Sequence, residues 1–199
     1  MKKVAEITLI FWIMKICATT LGETAGDMLS MTFNIGYGLS SVILLSFFVI
    51  TLIAQLFSKK YHPVLYWSVI LTTSTAGTTI SDYMDRTLGF GYAKGSMLLI
   101  FMLISILVLW YKIEKSLSVE NISSFRPETF YWFTILISNT LGTALGDYLA
   151  DDSGLGFGGG ALLIGSSILG VVLLHFYTKI SKVILFWIAF VLTRPFGAT

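Results

Sequence analysis

Four tryptophans set the frame of this chain. Trp12, Trp67, Trp132 and Trp187 are separated by 55, 65 and 55 residues, and the residues that follow them match. Eight positions on stand Thr20, Thr75 and Thr140, with Pro195 in the fourth copy; ten positions on stand Gly22, Gly77, Gly142 and Gly197; fifteen positions on stand Asp27, Asp82 and Asp147. Self-similarity over a long period means that one supersecondary unit has been copied, so the fold must be assembled from equivalent pieces. Beyond its aspartate each full copy carries a Gly-aromatic-Gly turn, namely Gly36-Tyr37-Gly38, Gly89-Phe90-Gly91 and Gly156-Phe157-Gly158.

The composition says what surrounds those pieces. Only 12% of the residues are charged, 55% are hydrophobic and the mean hydropathy is +0.83. A soluble chain carries about 25% charged residues, so this one cannot clothe a water-facing surface and reads as an integral membrane protein. A helix needs roughly 20 largely apolar residues to cross the hydrocarbon. Seven such runs occur, at approximately 4–27, 38–57, 63–84, 92–112, 129–149, 158–178 and 183–199. The expected fold is a single all-α transmembrane domain over 1–199, built of tandem parallel helical hairpins at about 4–58, 63–113 and 128–178, with half of a fourth at 183–199. Because each unit holds two spans, successive copies enter from the same side and are related by an axis along the membrane normal.

Several classes fall away. Continuous apolar runs exclude a β-barrel, and Lys15 and Glu23 interrupt the first span too much for a cleaved signal peptide. Cys17, the single cysteine, permits no intrachain disulfide. A net charge of +2 gives no footprint for nucleic acid. No Ser-His-Asp or His-Glu-x-x-His arrangement appears, the glycine-rich 154–160 lacks the lysine of a phosphate loop, and no cofactor is called for.

Basic residues set the orientation, because Lys and Arg in short loops resist translocation. Lys2, Lys3, Lys59, Lys60, Lys112, Lys115, Arg126, Lys179 and Lys182 all fall on one side, expected to be the cytoplasm together with the N-terminus. The other side holds Arg86 and Lys94 among Asp27, Asp82, Asp85, Asp147, Asp151 and Asp152, an acidic mouth that attracts cations. An odd number of spans puts the C-terminus there. A fourth aspartate would fall at position 202, so either the chain is truncated within its last copy or that copy is reduced to one helix.

The register of Trp12, Trp67, Trp132 and Trp187, with Thr19-Thr20-Leu21-Gly22-Glu23 and Leu192-Thr193-Arg194-Pro195-Phe196-Gly197-Ala198-Thr199, resembles a family of uncharacterised bacterial inner-membrane proteins built from four tandem two-helix repeats of unknown function, each marked by a tryptophan. The resemblance implies a fold and a bacterial inner membrane. It brings no activity, so function rests on the residues.

Positions four apart share a helix face. Thr19, Glu23 and Asp27 form one stripe, Ser74, Thr78 and Asp82 a second, Asn139, Thr143 and Asp147 a third. Lys15 extends the first stripe by one turn, and Arg194 stands where the other copies have Thr19, Ser74 and Asn139. Superposed, the copies bring one Lys, one Arg, one Glu and three Asp towards a common axis, and charges inside spans mark functional sites by default. The expected function is a transporter or exporter of a small cation, proton-coupled or a divalent metal, and not an enzyme. Glu23, Asp27, Asp82 and Asp147 would bind the ion, and would be the ligands if it is a metal; Lys15 and Arg194 would be counter-charges; Thr19, Ser74, Thr78 and Asn139 would line the site. The alternative is a membrane scaffold or sensor whose charges are static ion pairs, with the aspartates capping the following turn. Expected partners are the lipid bilayer and the ion; a homo-oligomer is compatible with the sequence.

Overall fold

The structure is a computed structural model that describes residues 2–120 and 122–198; Thr199, which closes the seventh expected span, lies outside the described residues. Seven α-helices occur among the described residues: α1 Leu9–Asp27, α2 Tyr37–Phe57, α3 Pro63–Asp82, α4 Tyr92–Glu114, α5 Phe125–Asp147, α6 Gly156–Tyr177 and α7 Lys182–Ala198. No strand is present among the described residues. Of the seven, α2, α4 and α6 are long and apolar enough to cross a membrane.

The expected first span begins too early. Residues 4–7 are not helical; Thr8 caps α1, its hydroxyl accepting from the Phe11 amide at 3.3 Å. The preceding segment is instead a strap tied to two loops, with the Lys3 amide donating to the Ile122 carbonyl at 3.0 Å and the Tyr61 amide to the Lys2 carbonyl at 2.9 Å. Val4 and Ala5, within this strap, are buried.

After Asp27, Asp82 and Asp147 the odd helices loosen into five-residue π-helical turns, Met28–Thr32, Tyr83–Thr87 and Tyr148–Asp152. The reversal that follows needs two left-handed residues: Asn34, Gly89 and Gly154 at the first place (φ 55°, 73° and 79°), and Gly36, Gly91 and Gly156 at the second (φ 80°, 71° and 65°). Glycine takes this conformation freely, and Asn is among the few other residues that visit it. The Gly-aromatic-Gly triplets are therefore not equivalent as triplets. In the second copy both glycines are left-handed, whereas in the other copies only the first is, and Gly38 and Gly158 lie within α2 and α6.

The odd helices α1, α3, α5 and α7 form a closed ring in which each packs on the next and α7 returns to α1. The repeated glycine makes every joint. Gly22 packs against Ser74, Gly77 against Asn139 and Thr140, Gly142 against Arg194 and Pro195, and Gly197 against Thr19 and Thr20. A Cβ on Gly77 would lie 3.0 Å from the Thr140 nitrogen, and one on Gly197 would lie 3.0 Å from the Thr19 hydroxyl. The residue ten places after each tryptophan thus abuts the residue seven places after the next one, around a pseudo-fourfold axis. The even helices lie outside the ring, and each packs chiefly on the odd helix of the following copy: α2 on α3, α4 on α5, α6 on α7. The hairpin of the sequence repeat is therefore not the packing unit in space.

Candidate functional site

Five layers follow one another along the axis, each contributed by equivalent positions and each about 6 Å from the next at 1.5 Å per residue. The layer before the tryptophans is Phe11, Tyr66, Tyr131 and Phe186; next come Lys15, Ile70, Ile135 and Phe190; then Thr19, Ser74, Asn139 and Arg194, all twelve buried. Beyond them lie Glu23, Thr78 and Thr143, and last Asp27, Asp82 and Asp147. The axis is thus apolar at its basic end and charged at its acidic end.

In the apolar layers the polar atoms are matched to one another. The Tyr66 and Tyr131 hydroxyls share a hydrogen bond of 2.5 Å. The Lys15 ammonium donates to the Thr193 hydroxyl at 2.6 Å and the Phe190 carbonyl at 3.0 Å, and lies 3.9 Å from the centre of the Phe190 ring. Lys15 pairs with no carboxylate among the described residues. Expected as a counter-charge of the site, Lys15 instead anchors α1 to α7.

Arg194 is wholly buried and reaches across the axis to all three other copies. Its Nη2 forms an ion pair with Glu23 Oε2 and donates to the Thr78 hydroxyl at 2.6 Å and the Thr143 hydroxyl at 2.9 Å. Both threonines donate in turn to Glu23 Oε2, at 3.0 and 3.2 Å. Arg194 Nη1 also donates to the Thr19 carbonyl at 3.5 Å. Asn139, in the same layer as Arg194, donates to the Thr73 hydroxyl at 3.1 Å. Ser74 serves the α1–α3 joint, donating to the Thr19 carbonyl at 3.3 Å.

The outermost layer holds a residue that the repeat pattern does not mark. Arg86, on the π-helical turn after α3, places its Nε 3.1 Å from Asp82 Oδ1 and its Nη2 3.2 Å from Asp147 Oδ2. Its Nη1 donates to the Tyr37 hydroxyl at 3.3 Å, and the guanidinium lies 5.9 and 5.5 Å from the Tyr37 and Tyr92 ring centres. Asp82 and Asp147 are thus engaged by a cation and do not cap the turns beyond them. Asp27 forms no ion pair among the described residues. In sequence Arg86 reads as one loop charge among several; its only signal is the four-residue spacing from Asp82, which sets acid and base on one helical face.

The four carboxylates expected as metal ligands therefore divide: Glu23 binds Arg194, Asp82 and Asp147 bind Arg86, and Asp27 stands apart. No group of three or more His, Cys, Asp or Glu side chains among the described residues is arranged to hold a metal ion.

A second buried ion pair closes the basic end. Lys3 Nζ lies 2.6 Å from Glu128 Oε2 and donates to the Leu56 carbonyl at 2.8 Å, while Gln55 donates to Glu128 Oε1 at 2.9 Å and to the Lys3 carbonyl at 3.1 Å. Nothing in the sequence pattern marks Lys3, Gln55 and Glu128 as a unit, because they come from three separate segments.

The family model described as Repeat of Unknown Function (DUF347) matches the chain three times, over residues 10–61, 65–116 and 130–181, each match beginning two residues before a tryptophan. The chain belongs to this repeat family. The matches fall in the register read from the sequence, with the same 55- and 65-residue offsets, and cover one odd and one even helix apiece. No curated protein and no solved structure matches the chain.

Proposed function

We propose that this repeat protein is a multi-pass carrier of a small cation, in which all seven helices cross the plasma membrane of a bacterium with the N-terminus in the cytoplasm. The apolarity of α2, α4 and α6, the basic residues gathered at one end and the family resemblance of the tryptophan register support that placement. The observation that carries the function is the charge balance of the outer axis. Four carboxylates, Glu23, Asp27, Asp82 and Asp147, face two guanidiniums, those of Arg86 and Arg194. An imported positive charge is what this arrangement lacks.

The way the carboxylates divide favours a monovalent cation or a proton over a divalent metal, which needs several oxygens gathered at one point. The ion enters at the acidic end, where Asp27 is free to receive it, and Glu23 is the innermost carboxylate before the axis turns apolar. Arg194 holds Glu23 in place, so the incoming ion meets an anchored pair at the inner end of its path. The seal formed by Tyr66, Tyr131 and their layer opens on the other side of the cycle. The protein acts by binding and movement and not as an enzyme.

Glu23→Gln tests this reading in proteoliposomes. It should abolish cation-dependent flux while the protein remains folded and monodisperse, since Gln keeps the hydrogen-bond geometry and removes the charge. Unchanged flux would overturn the assignment. The complete burial of Arg194 favours a second reading, a scaffold held by a static pair. It requires that Glu23 and Arg194 substitutions lower thermal stability together and that no ion alters that stability.

A further inference from the structure

We infer that the ion carried by this axis is a planar organic cation of the guanidinium class, and that Arg86 is a tethered occupant of its outer site, which the substrate must displace. The inference rests on the cation-carrier reading and names its substrate class.

The chemistry is displayed by the protein's own side chains. The outer site is a box with two kinds of wall. Carboxylates from two copies, Asp82 and Asp147, meet the edge of the Arg86 guanidinium at 3.1 and 3.2 Å, and the Tyr37 hydroxyl accepts a third bond from it at 3.3 Å. Two aromatic rings, of Tyr37 and Tyr92, lie within cation–π range. In-plane acceptors with ring neighbours suit a planar, weakly hydrated guanidinium and not a compact inorganic ion, which is strongly hydrated and seeks oxygens on all sides.

The same chemistry recurs one layer further in. There a second guanidinium, that of Arg194, is held by the Glu23 carboxylate and by the Thr78 and Thr143 hydroxyls. The two cradles use different residues and are filled by arginines from different copies. Four residues, about 6 Å of helix, separate the layers, so a cation of this shape leaving the first meets the second. The arginines differ in freedom. Arg194 is wholly buried on α7, while the Arg86 side chain is 34% exposed on a turn beyond the end of its helix. Arg86 is therefore the one that can leave, and Asp27 beside it supplies a carboxylate that it does not use.

The test measures binding and uptake of guanidinium by the intact protein. Purified protein is titrated with millimolar guanidinium chloride at constant ionic strength against sodium and tetramethylammonium chloride, and reconstituted protein is given labelled guanidinium. Wild type should be stabilised by guanidinium alone and should take it up. Arg86→Ala should lower the half-saturating concentration about tenfold if the box is vacated about a tenth of the time in wild type. Asp147→Asn should abolish the response while the fold, followed by circular dichroism, persists. Binding to Arg86→Ala with none to wild type would mark Arg86 as a fixed structural ion and overturn the inference, as would equal responses to guanidinium and sodium. Glu23-dependent flux of sodium or protons without any guanidinium response would overturn this substrate class and leave the carrier reading standing. Guanidinium binding that shifts with Arg86→Ala, without uptake, would uphold the site and overturn the carrier.

Discussion

At the basic end of the axis the four copies contribute Phe11, Tyr66, Tyr131 and Phe186, close-packed and with the two tyrosine hydroxyls paired; at the acidic end the equivalent helices contribute Glu23, Asp82 and Asp147 to two arginines, with Asp27 beside them and unpaired by any cation among the described residues. One repeat has been divided into a closed aromatic end and a charged end. Each end also has a buried ion pair, and the two pairs differ in surroundings. Lys3 and Glu128 are balanced one to one and joined by Gln55, with the Glu128 side chain 0% exposed. Glu23 is 15% exposed and stands among carboxylates that outnumber their partners. A balanced, closed pair is what a structural lock needs. An acid left short of positive charge and open at one edge is what an ion site needs.

The contrast predicts that stability resides at the basic end. Glu128→Ala leaves the Lys3 ammonium buried without its partner, which costs about 3–5 kcal/mol and should lower the unfolding free energy more than any single change at the acidic end. A loss below that of Glu23→Gln would erase the distinction between lock and site. Next in size is Gly77→Val, which drives a side chain into the Thr140 backbone at a joint of the ring. Overpacking of this kind costs about 1–3 kcal/mol, and it should lower the melting temperature and loosen both ends together. Tyr66→Phe leaves the buried Tyr131 hydroxyl without its partner. It should cost about 1 kcal/mol and leave any cation response intact, and a lost response would show that the seal takes part in binding.

A pH-dependent effect concerns Asp85, on the turn outside α3. Burial pushes its carboxyl up to about 6, against the opposing pull of the Ser81 hydroxyl and Arg86. Because this value is raised above the ordinary carboxylate range near 3.8, the folded state is favoured by the neutral form at low pH, and that advantage is lost as pH rises through about 6. Asp85→Asn should flatten the dependence of melting temperature on pH between 4 and 8, with the variant gaining on wild type at the upper end. An unchanged pH profile would show that Asp85 is solvated.

What the sequence could disclose follows from what repeats. Periodic features carried over well: the tryptophan register placed the odd helices, the glycine ten positions on marked every joint, and the stripe through Arg194, Glu23, Thr78 and Asp147 named residues that do meet or lie in adjoining layers. Features that depend on which copy touches which did not. The even helix packs on the following odd helix, and adjacency in space is not encoded in the spacing of a hairpin. Arg86 escaped because only the second copy has it, and a loop arginine shows its value only when Asp147 is brought to it from 61 residues away. The lock of Lys3, Gln55 and Glu128 escaped for the same reason. The turn glycines were misaligned because Asn34 fills a left-handed place that glycine fills elsewhere.

The proposed carrier requires that the acidic end, where four carboxylates meet two guanidiniums, takes up a cation, while the Lys3–Glu128 pair at the basic end, balanced one to one, takes up none. It is tested most directly by the melting temperature of the purified protein against increasing concentration of each small monovalent cation at constant ionic strength, in wild type, Asp27→Asn and Glu128→Gln. The charge imbalance predicts that at least one cation stabilises wild type, that Asp27→Asn loses this response, and that Glu128→Gln keeps it despite a lower starting stability. A flat response in wild type, or an undiminished one in Asp27→Asn, would contradict it.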